Sequence, residues 1–314
     1  MEFFKDPKIN FVGAMKPAFI VSSVLVLAAL VSLVIHGGPR LSIDFTGGSV
    51  LQVRIHPVPS VAEIRTGLES RGYTGVQVTS FGSEDEFLVT FPTFAAEPTA
   101  DEGVRAMDAT QKLLDDLQEG LGGAEIELRR EESVGPKIGS ELRTAAVNSV
   151  VAALALIVLY ITVRFVFRYG IAAIMALVHD VTLTLGVFSL MNFEISLSII
   201  AAFLTIIGYS LNDTIVVFDR IRENMRLRRK ESYREVINRS INECLSRTML
   251  TSVTTFFVAA TLYLVGGPVI HDFAFALTFG VIVGTYSSMF IASPILVWWY
   301  ERRIFDRKRM ATDM

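Results

Sequence analysis

The sequence predicts an α-helical polytopic membrane protein with six transmembrane helices and a ferredoxin-like α+β domain between the first two. Three observations carry that expectation. Of 314 residues, 51% are hydrophobic and only 19% are charged, whereas an average soluble chain carries about 25% charge. Six apolar runs, residues 15–35, 144–163, 170–190, 195–218, 248–265 and 273–300, are nearly free of charged side chains. A bilayer-spanning helix needs about 20 such residues at 1.5 Å per residue. The charge is also uneven: residues 37–143 hold 10 Lys/Arg against 18 Asp/Glu, net −8, while the whole chain is −3. A cytosolic enzyme is excluded.

The first run reads as a retained anchor. Lys5, Lys8 and Lys16 precede it as in a signal peptide, but it is longer than the usual 7–15 residues and ends in Ile35-His36-Gly37-Gly38-Pro39 without a small-x-small cleavage site. Orientation follows from Lys and Arg, which concentrate in short cytoplasmic segments. The N-terminal tail has three, the turn after the second run two (Arg164, Arg168), residues 219–247 nine and the tail after Tyr300 five. The turns 191–194 and 266–272 have none. Both termini are therefore expected in the cytoplasm, with residues 37–143 outside it. Trp298, Trp299 and Tyr300 are expected to anchor the last span at the cytoplasmic interface.

Within residues 37–143, alternation over Leu41–Ile55 predicts a strand. Pro57-Val58-Pro59-Ser60 stops it and caps a helix over Val61–Arg71. Gly75–Phe81 and Glu86–Phe91 read as a hairpin across Gly82-Ser83-Glu84-Asp85. Thr99–Glu119 is a second helix, with Val104, Met107, Leu113, Leu114 and Leu117 inward, and Ala124–Arg130 is the last strand. This β-α-β-β-α-β order is that of the split βαβ unit. It hosts many functions, and a lone His56 with scattered carboxylates makes no catalytic constellation. A docking or recognition module is the reading.

Residues 144–300 form the five remaining spans, and 301–314 a basic tail. In 219–247, the basic stretch Arg220–Lys230 is expected against anionic headgroups. Tyr233, Val236, Ile237, Ile241, Cys244 and Leu245 recur at helical spacing, which predicts an amphipathic helix along the interface. No aromatic platform accompanies the basic run, so nucleic acid is not an expected partner. Cys244 is the only cysteine, so an intrachain disulfide and a thiolate metal site are excluded.

Ionisable groups inside spans are functional candidates because insertion costs at least about 2.5–3.5 kcal/mol each. Asp213 lies in the fourth run, on one helical face with Thr205, Tyr209, Asn212 and Val216, and that stripe is expected to face protein. Arg247 opens the fifth span and can come level with Asp213 by snorkelling. Either the two form a structural ion pair, or they are a titrating site whose partner charge is made and broken. His179 and Asp180 lie near the middle of the third span. They belong either to a proton path or to hydrogen bonds with the surrounding Ser and Thr hydroxyls. Neither a GxGD-like protease sequence around Asp213 nor HExxH nor a P-loop is present, which argues against intramembrane proteolysis, zinc hydrolysis and direct use of ATP. Gly280, Gly284, Ser288 and Ala292 make a small-residue seam that serves either the internal bundle or a partner.

Several motifs carry a family resemblance: Ile43-Asp44-Phe45-Thr46-Gly47-Gly48, Val178-His179-Asp180, the run GYSLNDTIVVFDRIREN from Gly208 to Asn224, Arg247-Thr248 with Thr251-Ser252, and the turn Gly266-Gly267-Pro268. In this order they resemble the SecF family of bacterial protein-export subunits. The resemblance implies membership of the resistance-nodulation-division superfamily and a location in the bacterial inner membrane. It implies a SecD partner, the SecYEG channel, a functional link to the SecA ATPase and unfolded preprotein as substrate. It further implies no enzymatic activity and no cofactor, a proton gradient supplying the energy. Asp213 and Arg247 match the family's proton pathway, with Asn212, Tyr209, His179 and Asp180 as supporting candidates. Other readings are a passive scaffold and half of a small-molecule exporter.

Overall fold

The computed structural model describes residues 7–73, 75–91 and 102–312, and the side chains of 102–109 and 303–312 lie outside that description. Lys5, Val104 and Met107 therefore fall outside it. The elements are α1 (Phe11–Ile35), α2 (Ile43–Thr46), β1 (Gly48–His56), α3 (Val61–Glu69), β2 (Gln77–Phe81), β3 (Ser83–Phe91), α4 (Glu102–Gly120), β4 (Glu125–Val134), α5 (Pro136–Arg164), α6 (Phe167–Met191), α7 (Leu197–Leu227), α8 (Tyr233–Val265), α9 (Pro268–Ser287) and α10 (Ser293–Thr312). A π-helical stretch, Ser288–Ala292, joins α9 to α10. Two compact units divide the chain: residues 41–148 with 195–197, and the remainder.

The helical unit carries the helices long and apolar enough to cross a membrane, six in number among the described residues. Their burial differs sharply. Half or more of the apolar window of α6, α7 and α9–α10 is buried, against 17% for α1 and α8 and 6% for α5. The inner helices are closed by small residues. A Cβ on Gly186 would lie 2.1 Å from the Cβ of Ala29, and one on Gly280 would lie 2.4 Å from the Ile206 side chain. With Gly284 against Ser210 and both Ser288 and Ala292 fully buried, the small-residue seam serves the bundle of this chain.

The basic segment differs from expectation. Instead of a loop from 219, α7 continues to Leu227 and α8 begins at Tyr233, capped by Ser232 and Glu235 in a reciprocal capping box. The apolar stripe of α8 faces protein: Val236, Ile237, Ile241, Cys244 and Leu245 are buried in one core with Val217, Phe218 and Ile221 of α7. Burial against a neighbouring helix removes the apolar face from lipid and solvent alike, so this part of α8 is no interfacial helix. Its polar side holds the chain start: Asn242 Oδ1 accepts from the Ile9 amide at 2.9 Å, and Asn238 Oδ1 from the Val12 amide at 3.1 Å. Part of the basic run is paired within the protein, Arg220 with Glu223 and Glu243, and Arg228 with Glu231. The aromatic anchor also divides. Trp298 is exposed, whereas Tyr300 is buried, stacked on Tyr233 at 4.3 Å and bonded through its hydroxyl to Tyr169 at 3.3 Å.

The second unit is one four-stranded antiparallel sheet in the order β2-β3-β1-β4. Alternation along β1 places Leu51, Val53 and Ile55 on one face with Val78, Phe87 and Val89, where they pack on Ile64 and Leu68 of α3 and Leu113 and Leu117 of α4. The other face is polar, with Arg54 paired to Asp85 and Glu86. The expected strand from Leu41 starts later, because Ser42 caps the single turn α2 and Gly47 and Gly48 take φ of +74° and +143°. A Cβ at Gly47 would approach Pro136 Cα at 3.0 Å, so this close backbone crossing demands glycine. The hairpin turn is tighter than expected, since β3 begins at Ser83 directly after Gly82. β4 runs on to Val134 because β1 pairs with it over its full length.

Candidate functional site

Among the described residues two carboxylates are buried in the helical unit, each near the middle of a spanning helix. Asp213 is 2% exposed. Because α7 does not stop at Phe218, Asp213 falls near its midpoint, roughly 21 Å from its C-terminal end at helical rise. Ser252 of α8 donates to Asp213 Oδ2 at 3.3 Å. The same hydroxyl accepts from Tyr209 of α7 at 3.1 Å and from Thr285 of α9 at 2.8 Å. A serine has one proton to donate and two lone pairs, so Ser252 is fully used and directs its proton to the carboxylate.

Asp180 is 1% exposed and far better provided for. Its Oδ2 accepts from Ser210 at 2.6 Å and Ser287 at 2.8 Å, and its Oδ1 lies 2.9 Å from His179 Nδ1. The neighbouring pair thus meets through the side chains despite its 100° angular offset. His179 Nε2 is buried without a hydrogen-bond partner.

The expected Asp213–Arg247 pair is not formed. Arg247 is exposed, stands within electrostatic range of Asp213 and joins no ion pair among the described residues. The expected polar stripe of α7 is also split. Asp213 is buried and Tyr209 half-buried, whereas Thr205 and Asn212 are exposed in the single chain. Their spacing puts them on one side of the helix, but Asp213 lies 100° from Asn212, enough to turn it inward. The structure thus joins Asp213 to Tyr209, and His179 to Asp180, while leaving Arg247 and Asn212 outside both networks. Sequence reasoning passed over Ser287. Its signal is its place three residues after Gly284, on the side of α9 that packs against α7. The π-helical stretch that follows it has no such signal. No group of His, Cys, Asp and Glu suited to a metal ion occurs among the described residues.

Residues 114–302 match the family described as "Protein export membrane protein SecD/SecF, C-terminal", and residues 32–57 match the SecD/SecF GG motif. The chain is 46% identical to the protein translocase subunit SecF of Desulfurispirillum indicum over 290 residues, covering 91% of this chain and 90% of that protein. It is 41% identical to the translocase subunit SecDF of Thermus thermophilus, covering 95% of this chain but 39% of that longer one. The crystal structure of SecDF from that organism, titled a translocon-associated membrane protein, superposes with a TM-score of 0.81 at 40% identity over 94% of this chain and 39% of the other. A six-helix bundle with buried carboxylates and one small sheet is thus a multi-pass protein-export membrane protein of the SecD/SecF class. Within that class the chain belongs to the SecF family of protein translocase subunits.

Proposed function

We propose that this chain, with a SecD partner, uses the proton-motive force to promote late stages of preprotein export through the SecYEG channel, after SecA has driven the early ones. The observation that carries the proposal is Asp213: a carboxylate at the middle of a spanning helix, held by one serine hydroxyl, with an arginine in electrostatic range that joins no ion pair among the described residues. Asp213 binds and releases the proton. Arg247 compensates the carboxylate in a second arrangement of α7 and α8, in which the two pair. A proton shifts such an equilibrium only by its differential affinity for the two arrangements. One charge crossing about 150 mV supplies roughly 3.5 kcal/mol.

The exposed Thr205 and Asn212 support a second helical half against this face of α7, and the SecDF relative supports SecD as that half. The strand order supports reading the sheet unit as a ferredoxin-like domain. The Lys/Arg distribution supports its location outside the bacterial inner membrane, with cytoplasmic termini. In this reading the chain is no enzyme and needs no cofactor. The test is simultaneous neutralisation, Asp213→Asn with Arg247→Gln, in vesicles holding SecD and the channel. Loss of the gradient's effect on export is the expected result. An undiminished response from a correctly inserted double variant overturns proton coupling and leaves a scaffold.

A further inference from the structure

Along the helical unit runs a second feature, unconnected with Asp213: a groove of about 1210 Å³ between α1 and the wall formed by α6 and α10. It follows α1 from Val12 to Leu30, roughly 27 Å at helical rise. Its volume exceeds the roughly 300–1,000 Å³ of ordinary small-molecule pockets. Phe19, Leu27, Met175 and Ile295 make its walls apolar.

One end is different in kind. Lys16, Arg234, Trp298, Trp299 and Glu301 line it there, and Arg302 stands 5.2 Å over the Trp298 ring. Arg234 is paired with Glu301, which leaves the charges of Lys16 and Arg302 in excess. Part-way along the wall is His179, 93% buried, the residue whose Nε2 has no hydrogen-bond partner.

We propose that this groove is a binding site for an anionic phospholipid, its acyl chain lying between α1 and α6 and its phosphate at Lys16. Three features of different origin agree. The groove lies among membrane-spanning helices, where the available ligand is a hydrocarbon chain. The net positive charge at one end complements a phosphate, and basic side chains near anionic lipid are worth about 1 kcal/mol each. Tryptophans beside that charge suit the headgroup level, where their amphipathic rings settle.

The chain's only tryptophans, Trp298 and Trp299, both line the groove, so their fluorescence reads its occupant directly. The full chain is reconstituted in phosphatidylcholine vesicles containing small fractions of either brominated phosphatidylglycerol or brominated phosphatidylcholine with the same chains. The expected result is that half-maximal quenching needs about five-fold less of the brominated anionic lipid, the factor that 1 kcal/mol gives. Lys16→Glu removes the preference and Lys16→Arg keeps it. Equal quenching by both lipids makes the groove ordinary bilayer contact and overturns the proposal. So does a preference that survives Lys16→Glu. Weak quenching by either lipid means a protein segment fills the groove, and that also overturns it.

Discussion

Ser252 Oγ stands between Asp213 Oδ2 at 3.3 Å and Tyr209 Oη at 3.1 Å, donating to the first and accepting from the second. This serine joins α7, α8 and α9 through one oxygen and is the only hydrogen-bond partner of Asp213 among the described residues. Asp213 thus has one hydrogen-bond partner where Asp180 has three. In the proposed reading Asp213 carries the proton, and Asp180, with its three partners, holds the helices together.

Ser252→Ala is predicted to leave Asp213 without a donor and to destabilise the helical unit by about 1–3 kcal/mol, the penalty of an unsatisfied buried polar group. Thermal unfolding in detergent checks the loss. Gradient-driven export checks the functional part, which is expected to weaken because the hydroxyl that orients the Asp213 carboxylate is gone.

Asp180→Ala is predicted to cost more than Asp213→Ala in the same thermal unfolding assay. It strands the Ser210 hydroxyl and His179 Nδ1 in one stroke and leaves Ser287 only its bond to the Gly284 carbonyl, whereas Asp213→Ala strands one hydroxyl. Equal losses contradict the division of roles.

Gly186→Val is predicted to separate α1 from α6. Even the first carbon added at Gly186 meets Ala29 at 2.1 Å for Cβ and 2.7 Å for backbone Cα, and backbone cannot rotate away. Overpacking of this kind costs about 1–3 kcal/mol. The Ser32–Ser189 hydrogen bond, 2.9 Å long and one turn further along both helices, opens with it. A cysteine pair at positions 32 and 189 is expected to crosslink in the parent chain and not in the valine variant.

The sheet unit carries an acid-sensitive contact. Asp116 is held below its usual range by the Tyr73 hydroxyl, which donates at 2.7 Å, and by Arg71 at 2.9 Å. Burial, and then the same hydrogen bond, push Tyr73 up to about 12. A carboxyl whose folded pKa is depressed stabilises the fold above its unfolded value, about 3.9 for Asp, and that stability is lost as pH falls through the folded value. Amide protection over residues 48–134 of the full chain, read by hydrogen exchange relative to the intrinsic rate at each pH, is therefore predicted to fall below about pH 4 in the parent. Asp116→Asn is expected to exchange faster at neutral pH, with a weaker dependence on acid.

Much of this was legible in the sequence because it follows from short-range periodicity. The six spans, the capping of α3 by Ser60 and the hairpin around Gly82 are set by residues within a turn or two of each other. Asp213 and Asp180 stood out because charge inside apolar runs is costly. The failures are long-range. Val236, Ile237 and Ile241 have the same spacing whether their face meets lipid or α7, and only the packing of the two helices decides it. Arg247 and Asp213 are close enough in sequence pattern to suggest a pair. Its formation depends on side-chain direction across two helices, which spacing along either one does not specify. Gly47 and Gly48 interrupted an alternation that otherwise read as strand, because the crossing of Pro136 over Gly47 joins segments far apart in the chain.

Export of a preprotein in vesicles containing SecD and the channel, followed with and without an imposed proton gradient, tests the central claim most directly when the parent is set beside Asp213→Asn. Equal insertion and co-purification are established first. The account predicts that the parent alone responds to the gradient, while both support the same gradient-independent export. An equal response from the two proteins would contradict it and place the coupling elsewhere.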